Sequence, residues 1–307
     1  MFKYFRFSCL FLIIAYPCLT HAEISKTTIY QFSERKFGNT EVPVEITWPT
    51  SGKKPYPVII SQHGSERDGK TFIGGIGKTD EYTKRLIRKA SARGYAVFAI
   101  DAFYKKGVGA NDKKQFPQAS AYAEQLRDRI GEIADLDIGN IFYTGFSFGG
   151  RSVVDELPKR AGIVKWRALA AAEPDCNTFW APSLSQTPML IMKGQESHYP
   201  PKPCEIMANL YRKSGYEISV KIFPKSNHYF SHSGRIVKGK AYNGCSDDPV
   251  IIYNLREFKT ASGVSVSLDE LRKGKCFTPT GGSGKTREDL DAAIETALDF
   301  FDKHRTP

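Results

Sequence analysis

The chain has 307 residues, of which 41% are hydrophobic and 25% charged, a length and balance that suit one large α/β domain or two small ones. This composition excludes a polytopic membrane protein, a collagen and a disordered acidic tail, and six cysteines are too sparse for a small disulfide-stapled scaffold. The net charge of +11 is spread along the chain without a dense basic block or interleaved aromatic box, so it reads as a solvated basic surface and not as a nucleic-acid site.

Lys3 and Arg6 lead into an apolar run over residues 7–16, which Pro17 breaks before Leu19-Thr20-His21-Ala22. A basic start, a short apolar centre and a small-residue exit describe a secretory signal peptide, and the run is short for a membrane span. Cleavage is expected after Ala22, leaving residues 23–307 as the mature domain with no stable membrane anchor. Cys9 and Cys18 leave with the signal. Cys176, Cys204, Cys245 and Cys276 remain, and an even number without CxxC spacing in an exported chain points to disulfides and not to a metal.

Strands and helices then alternate. Strands are predicted over 42–48, 57–61, 95–100, 140–144, 168–172, 188–192 and 217–223. Helices are predicted over 80–92 with Asp80 as N-cap, 119–133, 148–157, 204–214 and 286–303. Residues 231–284 read as irregular. Such alternation implies a mainly parallel sheet covered by helices on both faces, with right-handed crossovers placing the C-terminal ends of the parallel strands along one edge, where ligands bind.

Gly145-Phe146-Ser147-Phe148-Gly149 sits between a predicted strand and a predicted helix. A serine on so tight a turn needs small neighbours two positions away, and the turn lifts its hydroxyl over the sheet edge. The N–H of Phe148, at the start of the helix, is a natural oxyanion donor. A nucleophilic serine also needs a base and an acid. His228 follows the last predicted strand of the series and Glu196 the strand before it, giving the order Ser147, Glu196, His228. Asp175 is the reserve acid, and Glu173 comes next, placed inside or at the end of its strand. A metal pair of His228 and His232 lacks a third ligand, and no metal or organic cofactor is expected.

Gly145-Phe146-Ser147-Phe148-Gly149-Gly150, Gln62-His63-Gly64-Ser65 and the downstream His228 resemble the α/β-hydrolase superfamily, and within it the secreted dienelactone hydrolase-like branch. The stretch from Gly194 to Cys204 and the late cysteines Cys245 and Cys276 look like that branch as well. The resemblance runs from about Pro57 to the last helix and implies an α/β-hydrolase fold, with the second oxyanion N–H coming from Ser65 or Gly64 and with His63 structural. Two departures stand out. Dienelactone hydrolases proper use a cysteine nucleophile where this chain has Ser147. The family's acid is usually an Asp three residues after a glycine, whereas Gly194 is followed by Gln195-Glu196-Ser197. Of the three pairings that four cysteines allow, the topology favours Cys176 with Cys204, on neighbouring strand ends, and Cys245 with Cys276, closing the irregular region.

Gly281-Gly282-Ser283-Gly284-Lys285-Thr286 imitates the end of a phosphate-binding loop, but Pro279 stands where its first glycine belongs and no buried strand precedes it. Gly74-Gly75-Ile76-Gly77 has no strand before it either. Arg151 is expected in a structural salt bridge and Trp166 in the core, with Trp180 and Tyr199 as core or cleft residues. The function expected is an exported serine hydrolase acting on a small-molecule carboxylic ester. The alternatives are a serine peptidase or amide hydrolase, which the same triad serves, and an inactive hydrolase fold used as a binding module.

Overall fold

The computed structural model describes residues 25–66, 79–157, 166–176, 178–179, 187–232, 239–241, 248, 250–253, 257–267, 276–278, 282 and 284–307. The signal segment before Ala22, Trp180 and Cys245, and with Cys245 its pairing to Cys276, lie outside the described residues.

Eight strands form one sheet in the order β1-β2-β4-β3-β5-β6-β8-β9. These are β1 (Ser25–Glu34), β2 (Gly38–Thr47), β3 (Tyr56–Gln62), β4 (Ala96–Ile100), β5 (Leu136–Phe146), β6 (Ala168–Ala172), β8 (Met189–Gly194) and β9 (Ile218–Phe223), with β7 (Thr178–Phe179) outside this sheet. The β1–β2 hairpin and its seam with β4 are antiparallel, and every pairing from β4 to β9 is parallel. β1 was not expected from the sequence. Most of its residues are exposed or half-buried, so it lacks the apolar run that marks the central strands. Residues 231–284 read as irregular, but among their described residues are four short strands: β10 (Gly239–Ala241), β11 (Val250–Tyr253), β12 (Glu257–Thr260) and β13 (Cys276–Thr278).

The alternation within each central strand divides the core. On one side, Val58 and Ile60 of β3 and Tyr143 of β5 pack with helices α2 (Ala119–Arg129), α3 (Phe148–Val154) and α4 (Lys202–Lys213) through Tyr122, Leu126, Val153 and Met207. On the other side, Ile59 and Phe142 meet α1 (Glu81–Ala92) and α5 (Leu290–His304) through Leu86, Ile294, Leu298 and Phe301. All of these side chains are buried, each stabilising the fold by roughly 1.5–3 kcal/mol relative to exposure. Asp80 caps α1 as expected, accepting from the N–H of Thr83 at 2.8 Å. Trp166 is buried and donates its indole N–H to Glu156 at 2.8 Å. This is the α/β-hydrolase arrangement, a mainly parallel sheet with helices on both faces, and the residues expected to do chemistry follow its parallel strands.

Candidate active site

β5 ends at Phe146, and Ser147 turns the chain into α3 with φ 55° and ψ −109°. A non-glycine residue in this left-handed region costs on the order of 1–3 kcal/mol and persists only where its surroundings impose it. Here the Ser147 N–H donates to the carbonyl of Ala172 on β6 at 2.8 Å, and its own carbonyl accepts from Arg151 N–H at 2.8 Å. Gly149 is required by crowding: a Cβ there would stand 2.0 Å from the carbonyl oxygen of Gln62 on β3. The motif's small residues therefore let α3 approach the sheet closely enough to hold the serine above it.

His228 lies in the turn after β9. Asn227 shapes that turn: its Oδ1 accepts from Tyr229 N–H at 2.8 Å and Ser231 N–H at 3.2 Å, and its Nδ2 donates to the carbonyls of Gly282 and Gly284 at 2.8 Å each. The imidazole reaches Ser147, with Nε2 2.9 Å from the serine Oγ. Its Nδ1 lies 3.1 Å from Oε2 of Glu173. An ionised carboxylate can only accept, so Nδ1 carries the proton and Nε2 is left to accept from the serine hydroxyl. Burial lowers the pKa of His228 below its ordinary 6.5, against the opposing pull of Glu173, and the positive charge of Lys193 lowers it further.

The carboxylate at the histidine is therefore Glu173, not Glu196 and not Asp175. Glu173 is the first residue beyond β6, with φ 56°, and it is fully buried. Its Oε2 accepts from Lys193 Nζ at 2.6 Å and Ser197 Oγ at 2.7 Å as well as facing His228, and its Oε1 accepts from the N–H of Gly194. Burial alone would raise its pKa, but the Lys193 charge and the hydrogen bonds to His228 and Gly194 prevail and hold it down at about 2. Glu196 is half-buried in the turn after β8. Its backbone N–H bonds Ser226 O at 2.8 Å, and its Oε2 has no hydrogen-bond partner among the described residues. Asp175 is taken by Arg151 at 2.8 Å, and Arg151 also holds Asp155 at 2.8 Å, the structural ion pair expected of it.

The sequence ranks Glu173 only third, after Glu196 and Asp175, because it adjoins an unbroken run of small strand residues. The signal that identifies it is Lys193, a cation inside the apolar run Met189-Leu190-Ile191-Met192. A lysine in a buried strand requires an anion beside it. Ala172 is in register with Met192, so the next residues along the two strands are Glu173 and Lys193.

The oxyanion side needs one correction. The N–H of Gly64 is bonded to Asp80 Oδ2 at 2.5 Å and is not open to a substrate. Ser65, which borders the cavities on both sides of Ser147, is the remaining candidate donor of this turn, and Phe148, the other candidate, takes the first position of α3. His63 is fully buried. Its Nε2 accepts from Ala102 N–H at 3.1 Å and its Nδ1 donates to Gly64 O at 2.7 Å, so it joins the turn to the end of β4. His232 turns to Asp289 at 3.2 Å instead of joining His228.

Two cavities meet at Ser147. One of about 390 Å³ runs along Phe116, Phe148, Arg151 and Tyr199. The other, about 180 Å³, lies on the His228 side between Glu66, His198, Tyr229 and Arg287. At its rim Glu66 accepts from Tyr229 Oη at 2.8 Å and from Lys285 Nζ at 3.0 Å. Cys176 and Cys204 form a disulfide between the loop after Glu173 and the first turn of α4, the first of the two expected pairs. Among the described residues no helix is long and apolar enough to cross a membrane.

The chain is similar in fold to a dienelactone hydrolase-like promiscuous phosphotriesterase from metagenomic libraries, with 13% identity and a TM-score of 0.52 over 90% of this chain and 98% of that one. A putative dienelactone hydrolase from Klebsiella pneumoniae aligns at 17% identity and a TM-score of 0.48, covering 67% of this chain and 88% of its own. Porphyromonas gingivalis dipeptidyl peptidase 4 aligns at 16% identity and a TM-score of 0.49 over 68% of this chain, which spans 33% of that longer protein. At these identities the likeness is one of fold. No curated protein matches the chain. The dienelactone hydrolase family model matches residues 72–247, over half of the sequence, a stretch that includes the serine turn, Glu173 and His228. The chain belongs to the dienelactone hydrolase family.

Proposed function

We propose that this hydrolase is an exported serine enzyme that cleaves carboxylic esters through an acyl-enzyme. The observation that carries the reading is the unbroken chain from Ser147 Oγ to His228 Nε2 at 2.9 Å and from His228 Nδ1 to Glu173 Oε2 at 3.1 Å. Ser147 Oγ attacks the ester carbonyl while His228 Nε2 takes its proton. The oxyanion that forms is held by the N–H groups of Phe148 and Ser65. Glu173 stays ionised and stabilises the imidazolium without taking its proton. His228 then protonates the leaving alcohol as the tetrahedral intermediate collapses. A water that gives its proton to the same nitrogen attacks the acyl-serine, and collapse of the second intermediate releases the acid and returns the proton to Ser147 Oγ. The Cys176–Cys204 disulfide supports maturation in an oxidising compartment.

Intact-mass analysis after exposure to a fluorophosphonate tests this reading. One adduct is expected on the wild-type protein and none on Ser147→Ala, whose kcat on short-chain esters should fall by about 10⁵–10⁶ with its far-ultraviolet circular dichroism unchanged. A folded, disulfide-bonded wild type that takes no adduct would overturn it.

A further inference from the structure

Among the described residues, Lys193 is fully buried, and the mechanism above gives it no step. It lies in β8, its Nζ 2.6 Å from Glu173 Oε2 and 3.1 Å from the carbonyl of Pro174. A nucleophilic lysine would turn its nitrogen toward the substrate. This one shares a carboxylate oxygen with the imidazole: Glu173 Oε2 lies 2.6 Å from Lys193 Nζ and 3.1 Å from His228 Nδ1. Burying an ammonium is costly even when it is paired, and an apolar residue would pack into a strand without that cost. Its placement is fixed by register, because the end of β6 carries its charge partner alongside.

We infer that Lys193 is a positioning residue of this site, which helps to hold the Glu173 carboxylate at the histidine and offsets its charge. His228 then remains a free base to lower pH than a Glu–His pair alone would allow. The inference rests on the reading of Ser147, His228 and Glu173 as the catalytic set. With Lys193 and Glu173 charged and His228 neutral, the resting cluster has no net charge. A proton on His228 then meets an acid whose charge a neighbouring cation on the same oxygen already offsets. Of the other groups facing His228, the Glu66 carboxylate pulls the other way. His198, its ring centroid 4.4 Å away, is half-buried and held neutral at working pH, its pKa pushed down to about 3 by loss of solvent and by His228 itself. Tyr199 and Tyr229 pack their rings against the imidazole, and Glu66 is paired with Lys285. The carboxylate is also fastened independently by Ser197 Oγ and Gly194 N–H. Removing the lysine charge therefore leaves an acid still in place.

The test follows the acid limb of kcat/KM together with the titration of the His228 ring nitrogens by NMR, which needs no turnover. In Lys193→Met both should move to higher pH by roughly one unit. Lys193→Gln keeps a donor for Glu173 without the charge and should move both the same way, while Lys193→Arg, which keeps the charge, should leave both near the wild-type position. If Lys193→Met fails to fold, the Gln and Arg variants decide the matter. A His228 titration that stays at its wild-type position in Lys193→Met or Lys193→Gln overturns the inference and leaves the serine mechanism standing. A wild type without fluorophosphonate labelling overturns the mechanism, and the positioning role with it.

Discussion

Glu173 and Glu196 each leave the C-terminal end of a parallel strand, on neighbouring strands of one sheet, and only one of them reaches His228. Glu173 follows β6 directly, in a left-handed backbone conformation that turns its side chain under the histidine, where a lysine, a serine and a backbone N–H also point at it. Glu196 lies two residues beyond β8, in a turn whose backbone is bonded to the histidine loop. The two residues share a side chain and a sheet edge and differ in the donors around them. An acid in such a fold is identified by the positive groups that converge on it more than by its distance in sequence from the nucleophile.

The strongest way to break the comparison is Glu173→Gln. It keeps the shape but presents an amide that leaves Lys193 without its counter-charge and no longer fixes the histidine tautomer. A loss of roughly 10³–10⁴ in kcat on short-chain esters is expected, and a loss under tenfold would remove Glu173 from the mechanism. Next is Gly194→Ala. A Cβ there would stand 2.4 Å from Ser226 O and 2.5 Å from Asn227 O, both backbone atoms of the loop that carries His228. Folded yield or thermal stability should drop by an amount typical of overpacking, about 1–3 kcal/mol, with activity falling alongside. An unperturbed, fully active variant would mean that the two loops are less tightly apposed than described.

The pH profile sharpens the same contrast. Glu173, its pKa held down at about 2, should contribute no step to the acid limb. That limb should be a single titration below pH 6.5, as the buried His228 becomes protonated and stops accepting from Ser147. A second step in the acid limb would point to a carboxylate other than Glu173 at the histidine. The smallest expected effect is that of Glu196→Gln, with kcat/KM within about twofold of wild type, as for substitutions outside the network.

The strand–helix alternation, the serine turn, the histidine loop and the Asp80 cap were all legible, because each rests on local chemistry: an apolar run, a glycine that permits close approach, a carboxylate before a helix. The acid was not, because its identity depends on which strands lie side by side. Lys193 carried that information as a charge misplaced in an apolar run, and it becomes readable once β6 and β8 are known to be neighbours. The oxyanion turn was half legible. The Gln62-His63-Gly64-Ser65 sequence identifies the loop, but that Gly64's N–H is spent on Asp80 depends on α1 starting directly beneath it. The β1–β2 hairpin hid its first strand for the opposite reason, since a half-exposed edge strand needs little apolar residue content to pair.

Asp80 receives two backbone N–H groups on one carboxylate, Thr83 at the start of α1 and Gly64 in the turn beside the nucleophile. A residue so placed cannot be altered for durability alone or for turnover alone. Engineering for thermostability that rewrites this helix start would also change the cavity that opens onto Ser147. Selection acting on the rate, in turn, is kept from loosening the cap. The fold's sturdiness and its chemistry are pinned at one oxygen pair, far along the chain from the serine they serve.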